Sequence, residues 1–246
     1  HTVEGEFLPS VGISGADKRN LYVSAMLSRG CLKKCKFCSN HITHGRGFRK
    51  TDTGSLREIL ISMKMSLESL KGRKIFINIE DDNLLQDRQF FFSSLDVLKE
   101  FFAGFAASPD QVFFSAENGL DYTLLDTETC SALIDSYNFR QFNFTLASSD
   151  SSVTSSQGRH SDTERLEKIL TFLDRRKIPA VTYFIAGLDT DTAEKTVDSL
   201  LFLDRTPGLS GISMFYAVPG LPGFTDMSFF EKSSPSLCRG SSAYPW

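Results

Sequence analysis

Strand-length apolar runs alternate with amphipathic helix-length runs along most of this 246-residue chain. The apolar runs fall at 21–27, 74–79, 111–115, 142–146, 180–186 and 212–217. Between them lie helical patterns at 55–70, 88–105, 127–136, 162–176 and 191–204. Three helix starts carry a Ser or Asp followed three residues later by Glu: Ser55 to Glu58, Ser161 to Glu164 and Asp191 to Glu194. That spacing lets a side chain and a backbone N–H satisfy each other at a helix start. Strand then helix, five times over and closed by a sixth strand, predicts βαβ units around a parallel sheet. Right-handed crossovers curl such a sheet towards a barrel, whose chemistry gathers at the C-terminal ends of the strands. The pattern alone leaves a partial barrel and a doubly wound sheet both open.

The first predicted strand is followed by Gly30-Cys31-Leu32-Lys33-Lys34-Cys35-Lys36-Phe37-Cys38, three cysteines spaced C-x3-C-x2-C. The odd count matters. Four thiolates close an iron–sulfur cluster that only carries electrons. Three leave one iron open, and an open position is what separates a catalytic metal site from a structural one. The chain has five cysteines, and three of them cluster, which points to metal binding rather than to a disulfide framework. Cys130 reads as a small buried hydrophobe and Cys238 falls in the tail. A competing reading is a closed, non-catalytic zinc or Fe–S binding module, with His41 or His44 as the fourth ligand.

Charge is modest, at a formal −3, and gives no general case for nucleic acid. Locally, Arg29, Lys33, Lys34, Lys36, Arg46, Arg49 and Lys50 follow one another with no acidic residue between them. Such a run offsets thiolate and cluster charge, or offers a docking face to an acidic partner. No stretch approaches the roughly 18 apolar residues of a membrane span, and no secretory leader stands at the start. These features and the clustered thiols predict a cytoplasmic protein. The chain begins at His1, as a trimmed piece of a longer protein would. Residues 1–20 read as a Gly-rich arm or linker, 21–224 as the core barrel and 225–246 as an irregular tail rich in Ser and Pro.

The cysteine run, with the aromatic Phe37 before its third cysteine, closely resembles the cluster loop of the radical SAM (S-adenosylmethionine) superfamily. The resemblance extends in order from about residue 21 to 224 and implies a partial (β/α)6 TIM-like barrel. It implies that Cys31, Cys35 and Cys38 hold a [4Fe–4S] cluster. The amino and carboxyl groups of SAM then chelate the open iron, and an electron cleaves SAM to methionine and a 5′-deoxyadenosyl radical. The remaining expectations are residue by residue. Asp81, Asp82 and Asn83 replace the usual Gly-Gly-Glu after the second strand and resemble cobalamin-binding members, so cobalamin is a candidate further cofactor. Glu117, after the third strand, faces substrate or SAM. Ser148 matches the serine of the ribose motif, with Ala147 where an acid or amide is usual. Gly187 and Leu188 match the turn beside adenine. Val218, in a Tyr216-x-x-Pro219-Gly220 segment like that of the cobalamin-binding and methylthiotransferase branches, offers backbone groups to adenine.

The expected partners are a small-molecule or peptide substrate and an acidic electron donor such as a flavodoxin or ferredoxin. Two outcomes compete: a cobalamin-dependent system, and a single-domain enzyme that uses the radical directly. Methylthio transfer to tRNA needs further cluster cysteines and an RNA-binding domain, neither visible. The 22 phenylalanines read as core first and only then as the dry wall a radical needs.

Overall fold

A computed structural model describes residues 9–45, 47–215 and 218–225. Among the described residues nine strands run β1 Ser10–Ala16, β2 Asn20–Met26, β3 Ser28–Arg29, β4 Arg49–Lys50, β5 Lys74–Ile79, β6 Val112–Ser115, β7 Phe142–Ala147, β8 Ala180–Ala186 and β9 Leu209–Met214. The helices are α1 Asn40–Thr43, α2 Thr53–Ser62, α3 Lys64–Glu68, α4 Arg88–Ala103, α5 Thr127–Tyr137, α6 Ser151–Ser156, α7 Thr163–Arg175 and α8 Ala193–Arg205.

The parallel strands form two blocks. One sheet orders β1-β2-β5-β6 and another β7-β8-β9, and β3 pairs with β4 beside the cysteine loop. Among the described residues a single parallel bridge, Leu120 to Phe144, joins the blocks. The six expected parallel strands are all present as an open, partial barrel. β9 starts and ends earlier than the pattern predicted, and Tyr216 and Ala217 lie outside the described residues.

Alternation sets the two faces. Leu21, Val23 and Ala25 of β2, Ile75, Ile77 and Ile79 of β5, and Val112 and Phe114 of β6 are buried in one core with Leu56 and Leu60 of α2 and Leu95, Leu98 and Phe102 of α4. On the opposite face, register puts Tyr22 beside Phe76 and Phe76 beside Phe113, and their rings stack at 5.6 and 5.1 Å. Buried apolar side chains against the helices fix the register, because a one-residue slip would turn each of them to the other face.

Three sequence expectations change. Residues 10–16 are not an arm: they pair antiparallel with β2, with a register shift between Ile13 and Gly15. Two glycines and few apolar residues hide that strand from a pattern search, because cross-strand backbone bonds rather than an apolar face hold it. The expected 55–70 helix breaks at Met63 into α2 and α3. The caps also shift by a residue or more: Asp52 accepts from Ser55 N, Asp162 from Arg165 N, and Thr192 from Lys195 N.

Candidate metal and cofactor site

The loop from Leu27 to Asn40 follows β2 and holds all three clustered cysteines at the C-terminal ends of the strands. Asp81 and Asp82, just after β5, grip its first part. The Asp81 carboxylate is buried, accepts from Leu27 N at 2.9 Å and from the Ser28 hydroxyl. Burial pushes its pKa up to about 6, against the lowering effect of those bonds. Asp82 accepts from Gly30 N at 2.6 Å and pairs with Arg29 at 3.3 Å. Gln86 continues the grip, accepting from Leu32 N at 2.6 Å and donating to Gly30 O at 3.0 Å. At Gly30 the backbone has φ +93° and a Cβ would stand 2.0 Å from Gly47 O, so only glycine fits there.

The cysteines share a cavity of about 110 Å³ with Phe37, Asp82, Asn83, Asn118, Asp121 and Arg159 among its lining. Asn83 Nδ2 lies 3.5 Å from Cys31 Sγ, and Arg159 Nη1 lies 3.9 Å from Cys35 Sγ. Cys35 is buried and the other two thiols half-buried. Burial raises the Cys38 thiol above its ordinary pKa, and charge on Cys35, Cys31 and Asp82 adds to the effect. Burial alone would raise Asp121, but the Lys33 ammonium and the Thr123 hydroxyl outweigh it and hold this carboxyl below the usual range.

These residues fit a [4Fe–4S] cluster. Buried polar groups are almost always hydrogen-bonded. Yet Asn40 Oδ1, Asn83 Oδ1 and Arg159 Nε, on three residues lining this cavity, are buried without a hydrogen-bond partner. Among the described residues no group of three His, Cys, Asp or Glu side chains could hold a metal ion. A cube takes one thiolate per iron and so spreads its donors. His41 lines the cavity and His44 does not.

A second cavity, of about 630 Å³, is lined by Lys36, Gln157, Gly187, Leu188, Asp191 and Phe215, among others. That volume lies in the range of small-molecule sites. Gly187 N donates to Asp191 Oδ2 at 3.0 Å. Phe37, on the wall of the first cavity, packs on the buried group Ala147, Val153 and Leu188. Leu188 lines the second cavity, so Phe37 joins the walls of the two spaces.

The other expected site residues divide. Asp82 and Asn83 line the cysteine cavity, but Asp81 does not; its oxygens are taken by the start of the loop. Glu117 is exposed and only its backbone is engaged, donating to Asn78 and accepting from Asn143; its neighbour Asn118 lines the cavity instead. Ser148 is buried and pairs with Ser199 of α8 at 3.3 Å. Val218 is half-buried and its carbonyl accepts from Leu221 N. Of the basic run, Arg29, Lys33 and Lys50 are spent on Asp82, Asp121 and Asp87, and Arg49 donates to His44 O. Lys34 and Lys36 are exposed. Cys130 is a buried core thiol pushed up to about 12 by burial, an inert state. Arg159 and the left-handed Ala147, with φ +67°, went unpredicted. Nothing in the local sequence marks Arg159, and the ribose-motif resemblance marks Ala147 by its residue type but not by its backbone conformation.

Fold and site together define an α/β half-barrel with a three-thiolate cradle where its first parallel strand ends. The chain belongs to the Radical SAM superfamily, which matches residues 26–203. It is a superfamily of enzymes that use a [4Fe–4S] cluster and S-adenosylmethionine. The chain is 22% identical over 215 residues to the bacteriochlorophyllide d C-12(1)-methyltransferase of Chlorobaculum tepidum, covering 86% of this chain and 44% of that protein. The radical S-adenosylmethionine methyltransferase TsrM of Kitasatospora setae, solved with cobalamin and a [4Fe–4S] cluster, superposes with a TM-score of 0.60 at 16% identity, over 78% of this chain and 36% of that one. Coproporphyrinogen III oxidase (HemN) of Escherichia coli, a radical SAM enzyme, gives 0.60 at 13% identity, over 89% and 49%. The chain thus spans less than half the length of these relatives. At these identities the structural likenesses establish the fold. Among the described residues no helix is long and apolar enough to cross a membrane.

Proposed function

We propose that this chain is the catalytic core of a radical SAM enzyme, with Cys31, Cys35 and Cys38 as the cluster ligands. The observation that carries the reading is the cavity in which all three cysteines converge beside unsatisfied buried polar groups. When bound, the reduced cluster supplies the electron that cleaves SAM to methionine and a 5′-deoxyadenosyl radical, which abstracts hydrogen from a substrate. The protein's own residues bind, orient and exclude water. Asn83 and Asn118 offer hydrogen bonds at the cysteine cavity. Phe37, packed on the group that includes Leu188, links it to the second cavity, where Gly187 and Leu188 take the nucleoside. Val218 offers backbone groups near that space.

A second reading, methyl transfer to a small-molecule or peptide substrate, is favoured by the methyltransferase activities of the Chlorobaculum and Kitasatospora relatives. Cobalamin would then be a third cofactor, carried outside the barrel. Lys34 and Lys36, exposed within the cluster loop, are the docking cations for an acidic electron donor, a flavodoxin or ferredoxin in a cytoplasmic setting. The test is anaerobic reconstitution with iron and sulfide, reduction with dithionite, and addition of methyl-deuterated SAM. Mass spectrometry reads 5′-deoxyadenosine for the radical route and S-adenosylhomocysteine for methyl transfer. Formation of neither by a protein that holds a full cluster overturns the proposal.

A further inference from the structure

Three consecutive residues meet three consecutive residues on the far side of the cysteine loop. Gln157 O accepts from Lys36 N at 2.9 Å. Gly158 lies against Lys34: with φ +66°, an added Cβ there would stand 3.1 Å from Lys34 O. Arg159 lies against Cys35, with Nη1 3.9 Å from the sulfur. Two more bonds fix the arginine: its N donates to Thr154 O at 2.9 Å, and Nη2 donates to Thr145 O at 2.9 Å at the end of β7. Its guanidinium is thus held between a strand end and the most buried thiol of the three, 5% exposed. The nearby Lys33 and Arg29 cations are committed to Asp121 and Asp82.

We propose that Arg159 is a positioning residue that raises the reduction potential of the cluster by donating to Cys35 Sγ. The inference rests on the assignment of a [4Fe–4S] cluster to these cysteines. Reduction adds one electron to the cluster, with no bond made or broken and no proton moved. Cluster potentials respond to net charge, hydrogen bonds to sulfur and exposure. A cation at a ligand sulfur in a half-buried site favours the more negative, reduced form. Arginine suits the task because it stays charged and its planar fork serves Thr145 O and Cys35 Sγ together.

The test uses the whole chain as wild type, Arg159→Gln and Arg159→Lys, each reconstituted anaerobically. Iron and sulfide are counted, the reduced cluster is followed by electron paramagnetic resonance during a mediated titration, and SAM binding is measured separately. Arg159→Gln is expected to hold wild-type iron. At the wild-type midpoint its reduced-to-oxidised ratio falls about tenfold, which is about 59 mV for a one-electron couple. Arg159→Lys recovers part of that loss. If Arg159→Gln assembles no cluster, Arg159→Lys decides, and its potential must lie below wild type. An unmoved potential in a cluster-loaded variant overturns the proposal, including the case where SAM affinity alone falls, which would assign the guanidinium to the ligand. Failure of the wild type itself to hold four irons would sink the cluster assignment instead.

Discussion

The cysteine loop is held from two sides by different chemistry. On the β5 side, carboxylates do the holding: Asp81 and Asp82 accept from the backbone N–H groups of Leu27 and Gly30. On the α6 side, backbone and a cation do it: Gln157 O, the bare face of Gly158 and the Arg159 guanidinium meet residues 34–36. The acidic side fixes where the loop leaves the strand. The cationic side fixes the middle thiol. A site that gathers three thiolates gains from placing its negative anchors on backbone donors and its positive one on sulfur.

The comparison can be broken at the loop itself. Cys35→Ala removes the thiol that the α6 side holds, and the expected outcome is loss of the four-iron species, read from iron content and visible absorbance. A closed zinc site would instead keep one metal ion in the wild type and bind no iron cube.

Asp81 tests the acidic side through pH. Its folded pKa of about 6 lies above the ordinary carboxylate value of 3.8. The folded state therefore binds the proton more tightly, and this contribution is fully present below about 3.8 and lost as pH rises through about 6. Two pKa units correspond to about 3 kcal/mol. Asp81→Asn removes this dependence. Its denaturant stability relative to wild type is expected to rise from pH 4 to pH 7, and a constant difference would show that the carboxylate is not strained by burial.

Gly158→Ala tests the other side with a smaller effect. The left-handed backbone and the approach to Lys34 O predict a loss of about 1–2 kcal/mol, together with incomplete cluster assembly. Equal stability and full iron content would show that the α6 turn does not hold the loop. Smallest of all, Lys34→Glu, at an exposed lysine that lines neither cavity, should leave dithionite-driven turnover unchanged. A several-fold slowing with an acidic protein donor, erased by high salt, is expected.

Much of this was legible in the sequence, and the limits have physical causes. Alternation reveals five of the six parallel strands because each buries apolar side chains against helices, whereas β9 is found by its apolar composition and lies largely exposed. The cysteine spacing reveals the cradle because few other demands produce it. β1 escaped because its stability comes from pairing. Asp81 and Asp82 announce a charged strand end, but a carboxylate that accepts from a backbone N–H looks in sequence like one that meets a ligand. Glu117 and Asn118 are neighbours in a turn, and only the turn's geometry sends the second rather than the first into the cavity. Arg159 lies 124 residues from Cys35, and no local pattern joins them.

The most direct test of the central claim, three thiolates and one open iron, is electron–nuclear double resonance on the reduced, reconstituted cluster. SAM labelled with 15N at the amino group and 17O at the carboxyl would be added. The account predicts resolved coupling of both labels to the cluster. A fully loaded cluster with an unchanged spectrum and no coupling to either label would contradict it.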